Sequence, residues 1–231
     1  MYIYGKNVVK ELPEKIKIKN AYLYKQFNDK EIIDKLKSKN VKIDYLEKYE
    51  LDKIVDSEHQ GVILKIDDYN YYDIDNIIKD NALIIILDHI MDPHNFGAII
   101  RTAEAAGVDG IIIPKDRSVS VNSTVVKVSA GAIWNTKIVR VTNISNTIEY
   151  MKKKGFWIVG TDMLGINYTQ IDYKGNIVLV IGNEGDGISK LVKEKCDFIA
   201  SIPMKGKINS LNASVSTGIM IYEAMRQRNG I

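Results

Sequence analysis

The chain has a single cysteine, Cys196, in 231 residues, which excludes an internal disulfide. Long hydrophobic runs are also missing. The longest, ALIIIL at 82–87, is far too short to cross a bilayer and reads as a buried strand. The opening MYIYGKNVVK lacks the apolar core of a signal peptide, so a reducing cytoplasm is the expected compartment. No Gly-Lys-Ser/Thr follows a glycine-rich loop, which argues against a Walker site, and no early G-x-G-x-x-G marks a dinucleotide fold. Arginine is scarce: Arg101, Arg117, Arg140, Arg226 and Arg228 stand against 27 lysines. In so lysine-biased a chain, each arginine raises the question of what a planar, bidentate cation does that lysine does not. Charge of one sign is lacking as well. Residues 1–80 carry 15 lysines against 16 acids, and residues 81–231 carry 17 basic residues against 13 acids. Nucleic acid binding is permitted by that balance but not demanded.

What is present is an ordinary globular composition, 45% hydrophobic and 26% charged, in two segments of different rhythm. Residues 1–68 read as a small α/β module. In it, NDKEIIDKLKSKN is an amphipathic helix with Asn28 as candidate cap, and KNAYLYK and HQGVILKI are strands. Residues 69–80, polar and tyrosine-rich without a clear period, read as a linker. Over 81–231 strand and helix alternate. The strands (ALIIILDHI, DGIIIP, KIVRVTN, FWIVGT, IVLVIGN, DFIASIPM) are mostly apolar throughout rather than at every second position, which predicts a parallel sheet covered on both faces. Gly107 and Gly155 are expected helix stops, STVVKVSAGAIW an expected helix, and NASVSTGIMIYEAMRQR a long terminal helix.

Three stretches carry the chemistry. In LDHIMDPHNFGAIIRTAEAAG a strand gives way to a helix, the edge where open α/β sheets bind ligands. Asn95 is a candidate cap there, and Arg101 lies among Ile99, Ile100, Ala103, Ala105 and Ala106, where it must snorkel or meet an anion. His89 and His94 with Asp88 and Asp92 match no standard metal spacing, so no metal is expected. In VIGNEGDGIS three glycines surround Glu184, as a cofactor lying against bare backbone would require; the plainer alternative is a glycine turn ending in a cap at Ser189. In SIPMKGKINSLNASVSTGI, Ser210, Asn212 and Ser214 precede a helix whose apolar face, Leu211, Val215, Ile219, Tyr222 and Met225, is core or dimer contact. Helix N-termini also bind anions, so Ser210 and Asn212 are candidates for more than capping.

Taken in order, NFGAIIRTAEAAG, VIGNEGDGIS and IPMKGKINSLNASVSTGI resemble the three motifs of the SpoU branch of the knotted SPOUT RNA methyltransferases. YGKNVVKE and HQGVILKI resemble the two ends of the ribosomal-protein-like substrate-binding domain that many members carry. DRSVSVNSTVVKVSAGAIWNTKIVRVTN and CDFIASIPM look closest to the bacterial 23S ribosomal RNA guanosine 2′-O-methyltransferases, so the match spans nearly the whole chain. The resemblance implies a parallel-sheet C-terminal domain with a deep trefoil knot, S-adenosylmethionine bound in a bent shape within it, and a homodimer whose site is built across the interface. By motif, Gly182, Ile202, Met204 and Leu211 would hold the cofactor, with Thr161 in the same pocket. Asn95, Arg101, Glu184, Ser210 and Asn212 fall on active-site positions. NASVS in place of the commoner NVSVA is a small departure.

The implied activity is 2′-O-methylation of an RNA ribose, with a guanosine of 23S ribosomal RNA as target. The alternatives are transfer RNA, a thiostrepton-resistance type of adenosine target, or, in another class, an RNA binder without catalysis. Ribosomal RNA or an assembling large subunit is the expected partner. Lys115, Arg117, Lys127 and Arg140 are candidates for contact with the RNA backbone.

Overall fold

The computed structural model describes residues 1–183, 185–207 and 210–229, which form two sheets joined by a tyrosine-rich strap. The first sheet contains β1 (Tyr2–Tyr4), β2 (Ile18–Tyr24), β3 (Ile43–Leu46) and β4 (Val62–Ile66), in the order β1-β4-β2-β3. β4 is antiparallel to β1 and β2, while β2 and β3 are parallel. Helices α1 (Lys6–Lys10), α2 (Lys30–Ser38) and α3 (Lys48–Ile54) accompany it. α2 buries Ile32 and Leu36 as its periodicity requires. Its cap is Asp29 rather than Asn28: the Asp29 carboxylate accepts the Ile32 N–H at 3.4 Å. A carboxylate at that place also meets the positive end of the helix.

The second sheet contains β5 (Leu83–Asp88), β6 (Gly110–Pro114), β7 (Ile138–Val141), β8 (Trp157–Asn167), β9 (Ile177–Gly182) and β10 (Phe198–Ser201). Its order is β10-β8-β9-β5-β6-β7, and every neighbouring pair is parallel. Among the described residues, α4 (Pro93–Ala105), α5 (Ser123–Val128), α6 (Ile144–Lys153), α7 (Lys190–Lys193) and α8 (Ala213–Asn229) cover it. The apolar run of the central strand, Leu83–Leu87, explains the layering. Ile85 and Leu87 face the cluster that α4, α5 and α8 complete, and Ile84 and Ile86 face the one that α6 and α7 complete. Gly107 and Gly155 stop α4 and α6 with φ of +73° and +83°. α5 is shorter than the sequence suggests. Ala130 and Gly131 turn left-handed at +49° and +91°, and only a 3-10 turn follows at Ala132–Trp134.

The segment expected as a polar linker is bonded along its length. The Tyr72 N–H donates to Ile138 O at 2.9 Å, so the strap adds a parallel bridge to the free edge of β7. The Tyr69 hydroxyl donates to Thr136 O at 3.2 Å, and the Tyr71 hydroxyl accepts the Val121 N–H at 3.0 Å. Tyrosine suits this use, since each ring covers apolar surface while its hydroxyl finds a partner.

Candidate functional site

The carboxyl ends of β5 and β9 lie side by side, with Asp88 in register with Gly182. Asp88 is 1% exposed and fully employed. Its Oδ2 accepts the Ser189 N–H at 2.7 Å, and its Oδ1 lies 2.5 Å from His89 Nδ1. One buried carboxylate thus ties the end of the central strand to the far side of the glycine loop. Ser189 precedes α7 but makes no side-chain cap; its amide, not its hydroxyl, carries the link.

The loop itself is a tight return. Asn183 and Gly187 exchange both backbone hydrogen bonds, at 3.2 and 3.1 Å. The Asn183 side-chain oxygen accepts the N–H groups of Gly185 at 2.9 Å and Asp186 at 2.7 Å. A methyl group on Gly182 would overlap the backbone of Gly187 and Ile188, and Gly187 has a φ of +69°. These two glycines serve the fold of the loop. The expectation that all three make room for a ligand needs that correction. Glu184 lies outside the described residues.

α4 begins beside this loop. Asp92 is its cap, accepting the His94 N–H at 2.9 Å, and Pro93 occupies the first turn. Asn95, expected as a cap, is instead inside the helix and 8% exposed. There Asn212 Nδ2 donates to Asn95 Oδ1 at 2.9 Å. Asn212 in turn caps α8: its Oδ1 accepts the N–H of Ser214 at 2.9 Å and of Val215 at 3.4 Å. One hydrogen bond between side-chain amides therefore joins the N-terminal parts of two helices through residues 117 apart in sequence. Ser210 and Leu211, just before Asn212, are exposed.

Arg101 lies six residues beyond Asn95, about 9 Å along the axis of α4. Its side chain is exposed and, among the described residues, has no hydrogen-bond or ion-pair partner. Among the described residues it meets no carboxylate or other anion. Thr161 sits on β8 beside β9 and donates to Val180 O at 3.2 Å. Ile202 is half-buried and Met204 exposed after β10. Among the described residues, the backbone at 202–207 and at Ser210 and Leu211 enters no hydrogen bond. Unspent amides and carbonyls therefore lie beside the apolar side chains of Ile202, Met204 and Leu211.

The cations expected to meet RNA separate into two kinds. Lys115 and Arg117 are exposed just past β6, on the same carboxyl edge. Arg140 lies 4.8 Å over the Tyr71 ring, and Lys127 donates to Glu58 O at 2.8 Å while standing 5.1 Å over the Tyr4 ring. Lys127 thus spans from α5 to the first sheet, and a phosphate would have to compete for it. Sequence reasoning missed Asp88 except as a metal candidate. The available signal was a single charge closing an otherwise apolar strand.

The SpoU rRNA Methylase family model matches residues 82–222, and a model described as RNA 2′-O ribose methyltransferase substrate binding matches residues 2–72. A protein of Staphylococcus saprophyticus assigned to the TrmH family of tRNA/rRNA methyltransferases is 44% identical over 242 residues, covering 99% of this chain and 96% of that one. The SpoU methyltransferase AviRb of Streptomyces viridochromogenes, solved with S-adenosylmethionine, superposes with a TM-score of 0.87 at 25% identity, covering 98% of this chain and 89% of its own. A cofactor-bound rRNA methyltransferase from Sinorhizobium meliloti superposes with a TM-score of 0.83 at 29% identity, covering 97% of this chain and 86% of its own.

Proposed function

The chain belongs to the SpoU rRNA Methylase family and is an RNA methyltransferase, and we propose that it transfers a methyl group from S-adenosylmethionine to a ribose 2′-hydroxyl of RNA, with a guanosine of 23S ribosomal RNA as target. The observation that carries this reading is the convergence of Asn95, Asn212 and the tied-down glycine loop at one sheet edge. The residues present fit the cofactor. An adenosyl group needs apolar faces and backbone groups that read its edge, and Ile202, Met204 and Leu211 beside unspent backbone offer both. Gly182 and Thr161 close the pocket on the β9 and β8 side. The knot implied by the motifs would enclose that pocket. The strand order is in keeping with it, because β9 inserts between β8 and β5, both earlier in sequence.

When bound, S-adenosylmethionine supplies a methyl group already activated on a sulfonium. The chain's task is to hold the weakly nucleophilic hydroxyl in line, so positioning carries much of the rate. Asn212 and Ser210 orient the ribose or its phosphate, and Glu184 helps organise the site. Arg101 serves as a bidentate phosphate clamp, since a guanidinium has no acceptor with which to take a proton. Its exposure, and its lack of a partner among the described residues, suit a site completed by a second copy. The stripe of Val215 and Tyr222, 50% and 52% exposed on α8, suits the same homodimer. The match of the Sinorhizobium meliloti rRNA methyltransferase to 97% of this chain favours ribosomal over transfer RNA.

The test is transfer of labelled methyl to unmodified 23S ribosomal RNA, with bulk transfer RNA in parallel. Label on the ribosomal RNA that disappears in Arg101→Ala is the expected result. Label on transfer RNA alone overturns the substrate, and no label on either overturns the reading.

A further inference from the structure

Away from the carboxyl edge, the strap and the first sheet leave between them a cleft of about 440 Å³. That is within the range of pockets that take small organic ligands. Tyr69, Tyr71, Tyr72 and Trp134 line it, with Lys15 and Lys17 beside them. The rings are held in place. Tyr69 and Tyr71 meet edge to face at 5.2 Å, Tyr69 lies 6.5 Å from Trp134, and both hydroxyls are hydrogen-bonded to backbone. Little conformational freedom is left to lose on binding.

The charges of the cleft are asymmetric. Its two acids are already paired, Asp67 with Lys19 and Asp68 with the N-terminal amine. Lys15 and Lys17 are exposed and, among the described residues, form no hydrogen bond or ion pair. The Trp134 indole N–H, in the wall of the cleft, is buried with no hydrogen-bond partner among the described residues, an uncommon state for such a donor. Aromatic faces beside unpaired lysines are the chemistry that takes an unstacked base and its flanking phosphates. From the cleft a basic path leads back to the carboxyl edge. Arg140 stacks on Tyr71 and donates to Lys115 O at 3.5 Å, and Arg117 follows.

We propose that this cleft binds an unstacked nucleobase of single-stranded RNA, anchoring the substrate at a distance from the ribose that is methylated. The proposal rests on the methyltransferase reading for its purpose but not for its test. Trp134 and Trp157 are the only tryptophans, so Trp157→Phe leaves Trp134 as the sole reporter. Titration of that protein with a short single-stranded RNA of mixed sequence should quench Trp134 saturably. A duplex of the same sequence should bind at least about fivefold more weakly, because its bases are already stacked. Lys15→Ala with Lys17→Ala should weaken binding about tenfold at low salt and raise KM for RNA. Both lysines are exposed, so the thermal melt and the S-adenosylmethionine affinity should not move. No quench, or equal binding of single strand and duplex, overturns the proposal, even where methyl transfer proceeds and the activity reading stands. A saturable, lysine-dependent quench without methyl transfer to any RNA sustains the cleft and removes the activity reading.

Discussion

Gly182 shows how little freedom the end of β9 has. A Cβ there has only the backbone of Gly187 and Ile188 to move into. Gly182→Ala should cost about 1–3 kcal/mol in a urea melt and weaken S-adenosylmethionine binding with it. Wild-type stability in that variant would mean the loop returns elsewhere. Cys196 makes the opposite case, a reactive group rendered inert. Burial pushes its thiol up to about 12, and its Sγ packs beside Gly160. Alkylation by iodoacetamide at pH 8 should therefore be negligible until the protein unfolds. Rapid labelling of the folded protein would refute this. At Arg101 the two roles separate by substitution. A clamp predicts that Arg101→Lys keeps part of the rate and loses RNA affinity first, while Arg101→Ala loses about a hundredfold or more. A pH–rate slope that vanishes in Arg101→Lys would favour a base instead.

Among the elements, α8 depends most on what holds its ends. Asn212 fixes its start against α4. At its finish, Arg228 donates to four carbonyls: Tyr173 O at 2.9 Å, Asn81 O at 2.7 Å, Ala82 O at 3.1 Å and Gly175 O at 2.5 Å. Lysine has neither the reach in two directions nor the planar fork for this, which answers why this arginine is not a lysine. Arg228→Lys should cost about 2–4 kcal/mol by chemical denaturation, and a loss under half of that would reduce the staple to an ordinary surface contact. Between the two ends, Arg226 and then Gln227 bond Glu223 and hold its carboxyl below the usual value. A depressed carboxyl contributes stability that is present above about pH 4.3 and lost as pH falls through the folded-state value. Urea midpoints at pH 7 and pH 3 should therefore differ less in Glu223→Gln than in wild type. α8 was legible from its apolar spacing as a helix, but not its docking. The stripe of Val215 and Tyr222 faces solvent, while Thr217, Met220, Ile221 and Ala224 are buried. The helix is apolar on more than one side, so periodicity could not choose the buried one.

At the scale of the whole molecule, the alternation of apolar strands and helices made the parallel sheet readable, because burial on both faces leaves no polar side chain in β9 and only the closing Asp88 in β5. The three- and four-residue strands β1 and β3 were not readable, being too short to show a period. Asn95, Asn212 and the glycine loop could be found by motif, but what joins them lies in pairs distant in sequence, which no local pattern records. The same holds for the seam between the sheets. One continuous core runs from Ile3, Val8 and Leu12 to Phe96, Val125 and Ile133. Gly131 has no side chain where Glu11 packs against it, Lys127 reaches Glu58 and Tyr4, and the strap adds itself to β7. Two sequence segments with separate rhythms are thereby fused through apolar contact rather than tethered by a flexible linker. A tether would let each half melt at its own temperature; a shared core makes them lose structure together. Both tryptophans lie in the second half, whereas far-UV circular dichroism reports on all helices and strands. The two signals should trace a single coincident transition on heating, and Lys127→Ala should lower its midpoint without splitting it. A circular dichroism transition that precedes the tryptophan signal would show that the first sheet melts alone, and that the seam is weaker than its buried residues imply.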